Sequence, residues 1–426
     1  MRTSTQSERK PRFFYGWVIV FACLLLSATN TGILSYFGAL FVAPVTEDLG
    51  FARAQYSMYS TFATVTTMVA MPIIGGLYKK IHTKVMILLG AAIGAGALIT
   101  FSSAYTLPVF YLGGILGGLA MSMFGGIPIS ILLSNWFNEK RGLVTGIAFT
   151  GSAIVSSVFS PTVSRIIAES GWRTAYLILA AALLIIVVPA TLFLIRVKPS
   201  DIGLQPYGSE SAAEKGSATQ SIGFTRKEAL KMPAFWMFGA ALFLMGMFTF
   251  GTQQHLVAYW TQCGQPAEEA AKIYSAMMVV SMISKIGMGS VFDRFRARNA
   301  CMLCGSIAVL AQVTLILCTK NNAVFVPAVF FGITTALQVL ATSYLTGKFF
   351  GSADYGTLYG LANTLLFLGV SVGVTFSALV YDLTSGYTAV WTIYAVAAAV
   401  MTLLLVGADQ LSIRAFREKL HTERER

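Results

Sequence analysis

The chain has 426 residues, 56% of them hydrophobic and only 11% charged. A soluble protein of this length carries about 25% charged residues, so a soluble globular fold is excluded. The net charge of +12 would suit nucleic acid, but the basic residues collect in the connections between apolar runs rather than on one face.

Residues 1–12 are polar and basic. Twelve apolar runs follow, at roughly 14–42, 54–78, 85–103, 107–136, 142–167, 174–196, 233–262, 269–292, 299–319, 323–347, 355–381 and 388–410. Each is near the ~20 residues that cross a ~30 Å hydrocarbon core. They predict an all-α polytopic membrane protein with twelve transmembrane helices. The first run is too long for a cleaved signal peptide and reads as a retained span. Residues 198–232 are rich in Ser, Gly, Ala, Glu and Lys. Their first half reads as a flexible linker, and Arg226 to Met232 as a short surface helix before Pro233. The predicted units are an N-terminal six-helix bundle (1–197), a cytoplasmic linker (198–232), a C-terminal six-helix bundle (233–411) and a charged cytoplasmic tail (412–426).

The five cysteines are Cys23, Cys263, Cys301, Cys304 and Cys318. An odd number without secreted-domain spacing implies no disulfide framework. Cys301 and Cys304 lack a second pair or a nearby histidine, so helix packing is expected there rather than a metal or redox site. No cofactor, metal cluster, nucleophile–base pair or phosphate loop is apparent, and the chain is not expected to be an enzyme.

With the N-terminus inside, twenty-four of the 30 lysines and arginines fall on that side. Five fall opposite (Arg53, Arg165, Arg173, Lys272 and Lys320), and Lys285 falls in neither group. By the positive-inside rule both termini are cytoplasmic, with the protein in the plasma (inner) membrane. The basic balance then needs no nucleic-acid partner; the lipid bilayer is the expected surroundings.

The halves repeat. Gly75-Gly76-Leu77-Tyr78-Lys79-Lys80 after span two matches Gly289-Ser290-Val291-Phe292-Asp293-Arg294 after span eight, at a shift of 214 residues. Arg141-Gly142-x-x-x-Gly146 matches Tyr355-Gly356-x-x-x-Gly360 at the same shift. Two parallel six-helix repeats with a site between them near the midplane form a transporter architecture. Close glycine spacings, such as Gly142/Gly146 and Gly369/Gly373, read as helix packing.

Lys285 is the one lysine or arginine that falls inside a span. It lies eight residues before Asp293, hence about 12 Å from the helix end at ~1.5 Å per residue. Ionisable groups in the bilayer are costly and mark function by default. The eighteen acidic residues all sit in loops, tails or span ends. Two readings stand: Lys285 binds an anionic substrate, or it is a structural lysine bonded to carbonyls and hydroxyls such as Ser281 or Ser284. Gln338 on span ten, Asn30 on span one and Gln312 on span nine are cavity ligands or interhelix hydrogen bonds. Gln254 and His255, in the outer half of span seven, are vestibule or gating groups or ordinary interfacial residues.

The turn Gly289-x-x-x-Asp293-Arg294-x-x-x-Arg298 resembles the major facilitator superfamily, and the resemblance covers nearly the whole chain. The stretch Asn135 to Gly146, with Tyr15-Gly16-Trp17 and Ala43-Pro44-Val45, is similar to its oxalate/formate antiporter and monocarboxylate transporter branch. The resemblance implies that Gly289, Asp293, Arg294, Arg298 and Arg141 form a conformational latch. In the first half Lys79 replaces the motif aspartate and His82 a glycine, which implies a lopsided latch. The resemblance also puts Lys285 where the branch has a cation, normally arginine, on the substrate carboxylate. Asn363 stands where the oxalate carriers have a second lysine. At the positions of their aromatic box the chain has Phe124, Ser152, Thr335 and Val339, with Tyr36 alone retained.

One central cation instead of two implies one negative charge on the substrate. The expected function is secondary transport of small organic anions, monocarboxylates foremost, by alternating access. The expected ligands are Lys285, Asn363, Tyr36 and Gln338. Coupling to a counter-anion or to a proton and uncoupled facilitated diffusion all stay open, and a monomer is expected. The alternatives are a carrier of a neutral or other small solute with Lys285 structural, and an oxalate/formate-type exchanger.

Overall fold

The computed structural model describes residues 14–208, 223–317 and 325–424. Its described residues fold almost wholly into helices. Span one is α1 (Gly16–Leu49), followed by α2 (Arg53–Leu77), α3 (Thr83–Ser102) and α4 (Leu107–Trp136). A single helical run, Arg141–Leu194, covers the next two spans. It breaks at Gly171, where φ is 82° and ψ 156°. A side chain at this φ would be strained, and glycine makes the turn possible. The run therefore divides into α5 (141–170) and α6 (172–194). The second half holds α7 (Pro233–Gln262), α8 (Ala267–Arg294), α9 (Ala297–Leu317), α10 (Phe325–Phe350), α11 (Tyr355–Thr384) and α12 (Thr388–Arg424). The expected twelve spans are present. The short linker helix is found at Arg226–Lys231, where Thr225 and Glu228 form a reciprocal capping box.

Large apolar side chains such as Ile73, Ile185, Phe193, Leu383 and Leu403 are exposed along these helices. Outward apolar surface on spanning helices is what lipid accepts. Inside, two separate hydrophobic cores form. One runs from Ile19 to Ile195, the other from Phe224 to Ala408. A small third cluster joins them: Met71, Ile74 and Ile127 from the first half meet Tyr355 and Tyr359 from the second.

The boundary expected at residue 411 is not a break in the chain. α12 continues through Ser412 to Arg424. The charged segment supplies good helix formers, and its inner residues Phe416 and Lys419 have partners to pack on.

The halves meet through crossings that obey the sequence repeat. The backbones of Gly142 and Gly289 abut, as do those of Gly75 and Gly356. Gly146 lies against the Lys285 carbonyl, and Gly360 against that of Met71. All four contacts relate by the same shift of 214 residues. A Cβ at any of these glycines would overlap the opposing backbone, so α5 crosses α8, and α2 crosses α11, only because the side chains are absent. These crossings lie at the end where α2 and α8 finish and α5 and α11 begin, called here the latch end.

Candidate functional site between the halves

Lys285 sits mid-helix in α8, its backbone pressed on Gly146 and its side chain 7% exposed. Among the described residues, its ammonium has neither an ion-pair nor a hydrogen-bond partner. The Ser281 and Ser284 hydroxyls considered for it do not serve. Ser281, one turn away, instead accepts a hydrogen bond from the Thr335 hydroxyl of α10 at 2.6 Å. Gln338, further along α10, is 9% exposed, and among the described residues its side-chain amide is likewise unbonded. Its backbone carbonyl accepts from the Thr342 hydroxyl at 2.9 Å. A buried cation and a buried amide on adjacent helices, both without partners, can take an acceptor such as a carboxylate.

Tyr36 ends a widened π-helical stretch of α1, Ala28–Tyr36. It is 47% exposed although it lies within a span. Its hydroxyl contacts Ser152 of α5 and lies within electrostatic range of Tyr274 of α8, which itself accepts from Gln253 at 3.0 Å. Phe124 is buried in the first core, and the Val339 side chain lies outside the described residues.

Asn363 is placed differently from a free ligand. It is 6% exposed, and its amide donates to the Tyr359 carbonyl at 2.9 Å. It also contacts the Tyr359 hydroxyl, which reaches Ser130 of α4. Ser130 and Ser343 share a hydrogen bond of 2.8 Å across the halves. The Tyr355 hydroxyl donates to the Ser343 carbonyl at 2.9 Å, and the Arg141 guanidinium lies over the Tyr355 ring at 5.2 Å. Asn363 thus begins a buried hydroxyl chain that leads from the level of Lys285 to the latch end. Sequence reasoning missed Ser130 and Ser343, since a lone serine in an apolar run carries no signal. The i, i+4 pair Tyr355/Tyr359 was the one visible hint.

At the latch end, the Asp293 carboxylate accepts the Gly142 N–H at 2.7 Å and the Leu143 N–H at 2.8 Å. These are orphan donors of the first turn of α5, so a carboxylate of one half caps a helix of the other. Arg141 adds attraction to Asp293. Arg294 is exposed and, among the described residues, has no bonded partner; it lines a cleft with Asn138, Tyr344 and Lys348. Arg298 lies within reach of Asp409 of α12, inside its own half. Neither arginine joins the halves.

The first-half position, from which the resemblance implies a lopsided latch, makes a contact of different chemistry. Lys79, standing where the motif has an acid, forms an ion pair of 2.7 Å with Asp354 at the entrance to α11. Shifted by 214 residues, Lys79 and Asp354 fall on Asp293 and Lys140. The acid lies across the interface, and each of the two equivalent crossings carries a polar contact between the halves.

At the opposite end, His255 Nδ1 pairs with the Tyr387 hydroxyl at 3.2 Å, and Nε2 with the Val374 carbonyl at 3.4 Å. Both partners belong to its own half. Gln254 is exposed without a bonded partner among the described residues. Gln312 donates to the Thr252 hydroxyl at 3.1 Å and Asn30 to the Met121 carbonyl at 3.4 Å, which makes both interhelix bonds.

Residues 20–323 match the family model described as Major Facilitator Superfamily. The chain belongs to the major facilitator superfamily. It is similar to human monocarboxylate transporter 12, with 24% identity over 90% of this chain and 78% of that protein. It is also similar to monocarboxylate transporter 13 of Rattus norvegicus, at 25% identity over 88% and 84% of the two chains. Among solved structures, the E. coli fucose:proton symporter superposes with a TM-score of 0.70 at 14% identity, over 93% of this chain and 99% of that one. A human organic anion transporter superposes at 0.67 with 15% identity, over 93% and 100%. These superfamily relatives are membrane transporters and not enzymes, and the chain is a multi-pass transporter of this superfamily.

Proposed function

We propose that the chain carries small organic monoanions, monocarboxylates foremost, by alternating access between its halves, with Lys285 binding the carboxylate. The observation that carries this reading is the Lys285 ammonium: buried between the halves, without a partner among the described residues, and with no acid on a neighbouring turn of α8. An unpaired buried charge is destabilising until an opposite charge arrives. One ammonium balances one carboxylate, and Asn363, a neutral amide, supplies no second cation for a dicarboxylate. The names of the similar monocarboxylate transporters support the same class. Gln338 is the neutral donor beside the cation, and Tyr36 bounds the site on the first half.

The latch end is the cytoplasmic side in this reading, because it collects Lys79, Lys80, Lys84, Lys140, Arg141 and Arg196. Both termini then lie inside, the protein sits in the plasma membrane, and it works as a monomer built of units 1–197 and 233–411. With the latch contacts made, the cytoplasmic end of the described arrangement is shut in this reading. Exchange with a counter-anion, or facilitated diffusion, fits better than proton symport, since among the described residues no carboxylate neighbours Lys285 to carry the proton.

Uptake of labelled short carboxylates into proteoliposomes tests the reading. Lys285→Gln should reduce the initial rate about 10-fold or more, the loss of a charge-assisted hydrogen bond. Uptake at the parental rate would overturn it.

A further inference from the structure

The two latch arms occupy equivalent places but use opposite chemistry. In one, the Asp293 carboxylate caps the N-terminus of α5. In the other, an ammonium, Lys79, stands before the N-terminus of α11, where the helix dipole would repel it. Asp354 reverses that repulsion. Its Oδ1 pairs with Lys79 at 2.7 Å. Its Oδ2 accepts the Arg226 N–H of the linker helix at 2.9 Å. One buried carboxylate therefore joins the first half, the linker and α11.

The linker is itself held. The Phe224 N–H donates to the Phe350 carbonyl at 2.9 Å, and Gly223 bridges to Gly351. From behind, the extension of α12 packs Phe416 on Phe224 with ring centroids 4.7 Å apart. The Lys419 ammonium donates to the Gly223 carbonyl at 2.8 Å and to Glu228 at 3.1 Å. Earlier in the linker, Tyr207 docks on the equivalent loop of the first half: its N–H donates to the Trp136 carbonyl at 2.9 Å, and it bridges to Phe137. Phe137 and Gly351 are related by the repeat shift of 214. Each end of the linker is thus fastened to the loop that carries one arm.

We propose that Lys79 and Asp354 form a second gate arm of reversed polarity, and that the linker helix and the C-terminal helix set its strength by holding Asp354 in place. Lys79 and Asp354 are the gate groups; Arg226, Phe416 and Lys419 are positioning residues that act through Asp354. The inference rests on the alternating-access part of the proposed function and not on its carboxylate.

The test needs no substrate. A Ser130→Cys reporter lies buried beneath the latch, in a chain whose native cysteines are replaced by serine. Its labelling rate is read with an impermeant maleimide applied from the latch side. Lys79→Gln should raise the rate about 5-fold, and Asp354→Asn at least as much. The double variant should exceed Asp354→Asn by little, because the partners share one interaction. Phe416→Ala with Lys419→Gln should raise labelling in the parent but not beside Asp354→Asn. Parental labelling in Lys79→Gln, or additive effects throughout, would overturn the proposal. Lys79 is half exposed, so its variant tests the arm even where Asp354→Asn lowers the yield of folded protein. Shifted labelling without carboxylate transport would leave the gate standing and remove the substrate reading instead.

Discussion

Lys285 and Asp293 lie eight residues apart on α8 and differ in their partners. Lys285 lacks a protein partner among the described residues, whereas Asp293 has two backbone donors from the other half. Lys285→Arg keeps the charge and adds a bidentate fork, so binding of short carboxylates should stay within about 10-fold of the parent. Thermal-shift titration checks this. Gln338→Ala should raise KM for uptake with kcat nearly unchanged, as expected for a group that binds ground state and transition state alike. Asp293→Asn keeps the shape of the cap but loses its charge. The closed latch should weaken by about 1 kcal/mol, or about fivefold in latch-side labelling. Lys285 was legible in the sequence because a charge in an apolar run has few explanations. The partner of Lys79 was not legible, because the motif fixes a position for the acid, while electrostatics requires only that the acid face the cation. Asp354, on the far side of the interface, satisfies that requirement.

The interlocking elements are α5 with α8 and α2 with α11, joined where glycines let backbones touch. Gly360→Val would drive a side chain into the Met71 carbonyl, and Gly146→Val into that of Lys285. Either change should hold the halves apart at the latch end, seen as faster latch-side labelling and a lower Tm. The second arm should also respond to pH. Burial alone would raise the Asp354 carboxyl, but bonds from Lys79, Thr357 and the Arg226 N–H outweigh it and hold the group below the usual carboxylate range. The Glu228 carboxyl, bonded to the Thr225 backbone and to Lys419, is lowered as well. A group depressed in the closed state stabilises that state above the ordinary carboxylate range and loses the effect as pH falls through its own lower value. The arm should therefore loosen in acid. Labelling rates normalised to Asp354→Asn, which removes the dependence, measure it. The linker helix before Pro233 was legible in the sequence; its docking on Asp354 was not, because the partners are 128 residues apart.

For the whole molecule, two cores are joined by a thin shared cluster, the arrangement that the proposed rocking of the halves requires. A carboxylate held at about 100 times its Kd should stabilise the folded protein by ~2.7 kcal/mol, read as a rise in Tm that Lys285→Gln abolishes. The sequence by itself determined the twelve spans, the repeat and the isolated cation. These follow from run length, internal similarity and the cost of a charge in hydrocarbon, all of which are local or one-dimensional properties. Only the tertiary structure decided that Asn363 turns toward Tyr359 and begins the hydroxyl chain through Ser130 and Ser343. Only it decided that Lys79 closes on Asp354 and that the C-terminal helix reaches the linker. Each of these is a contact between segments whose distance along the chain says nothing of their distance in space, so no spacing or composition could have announced it.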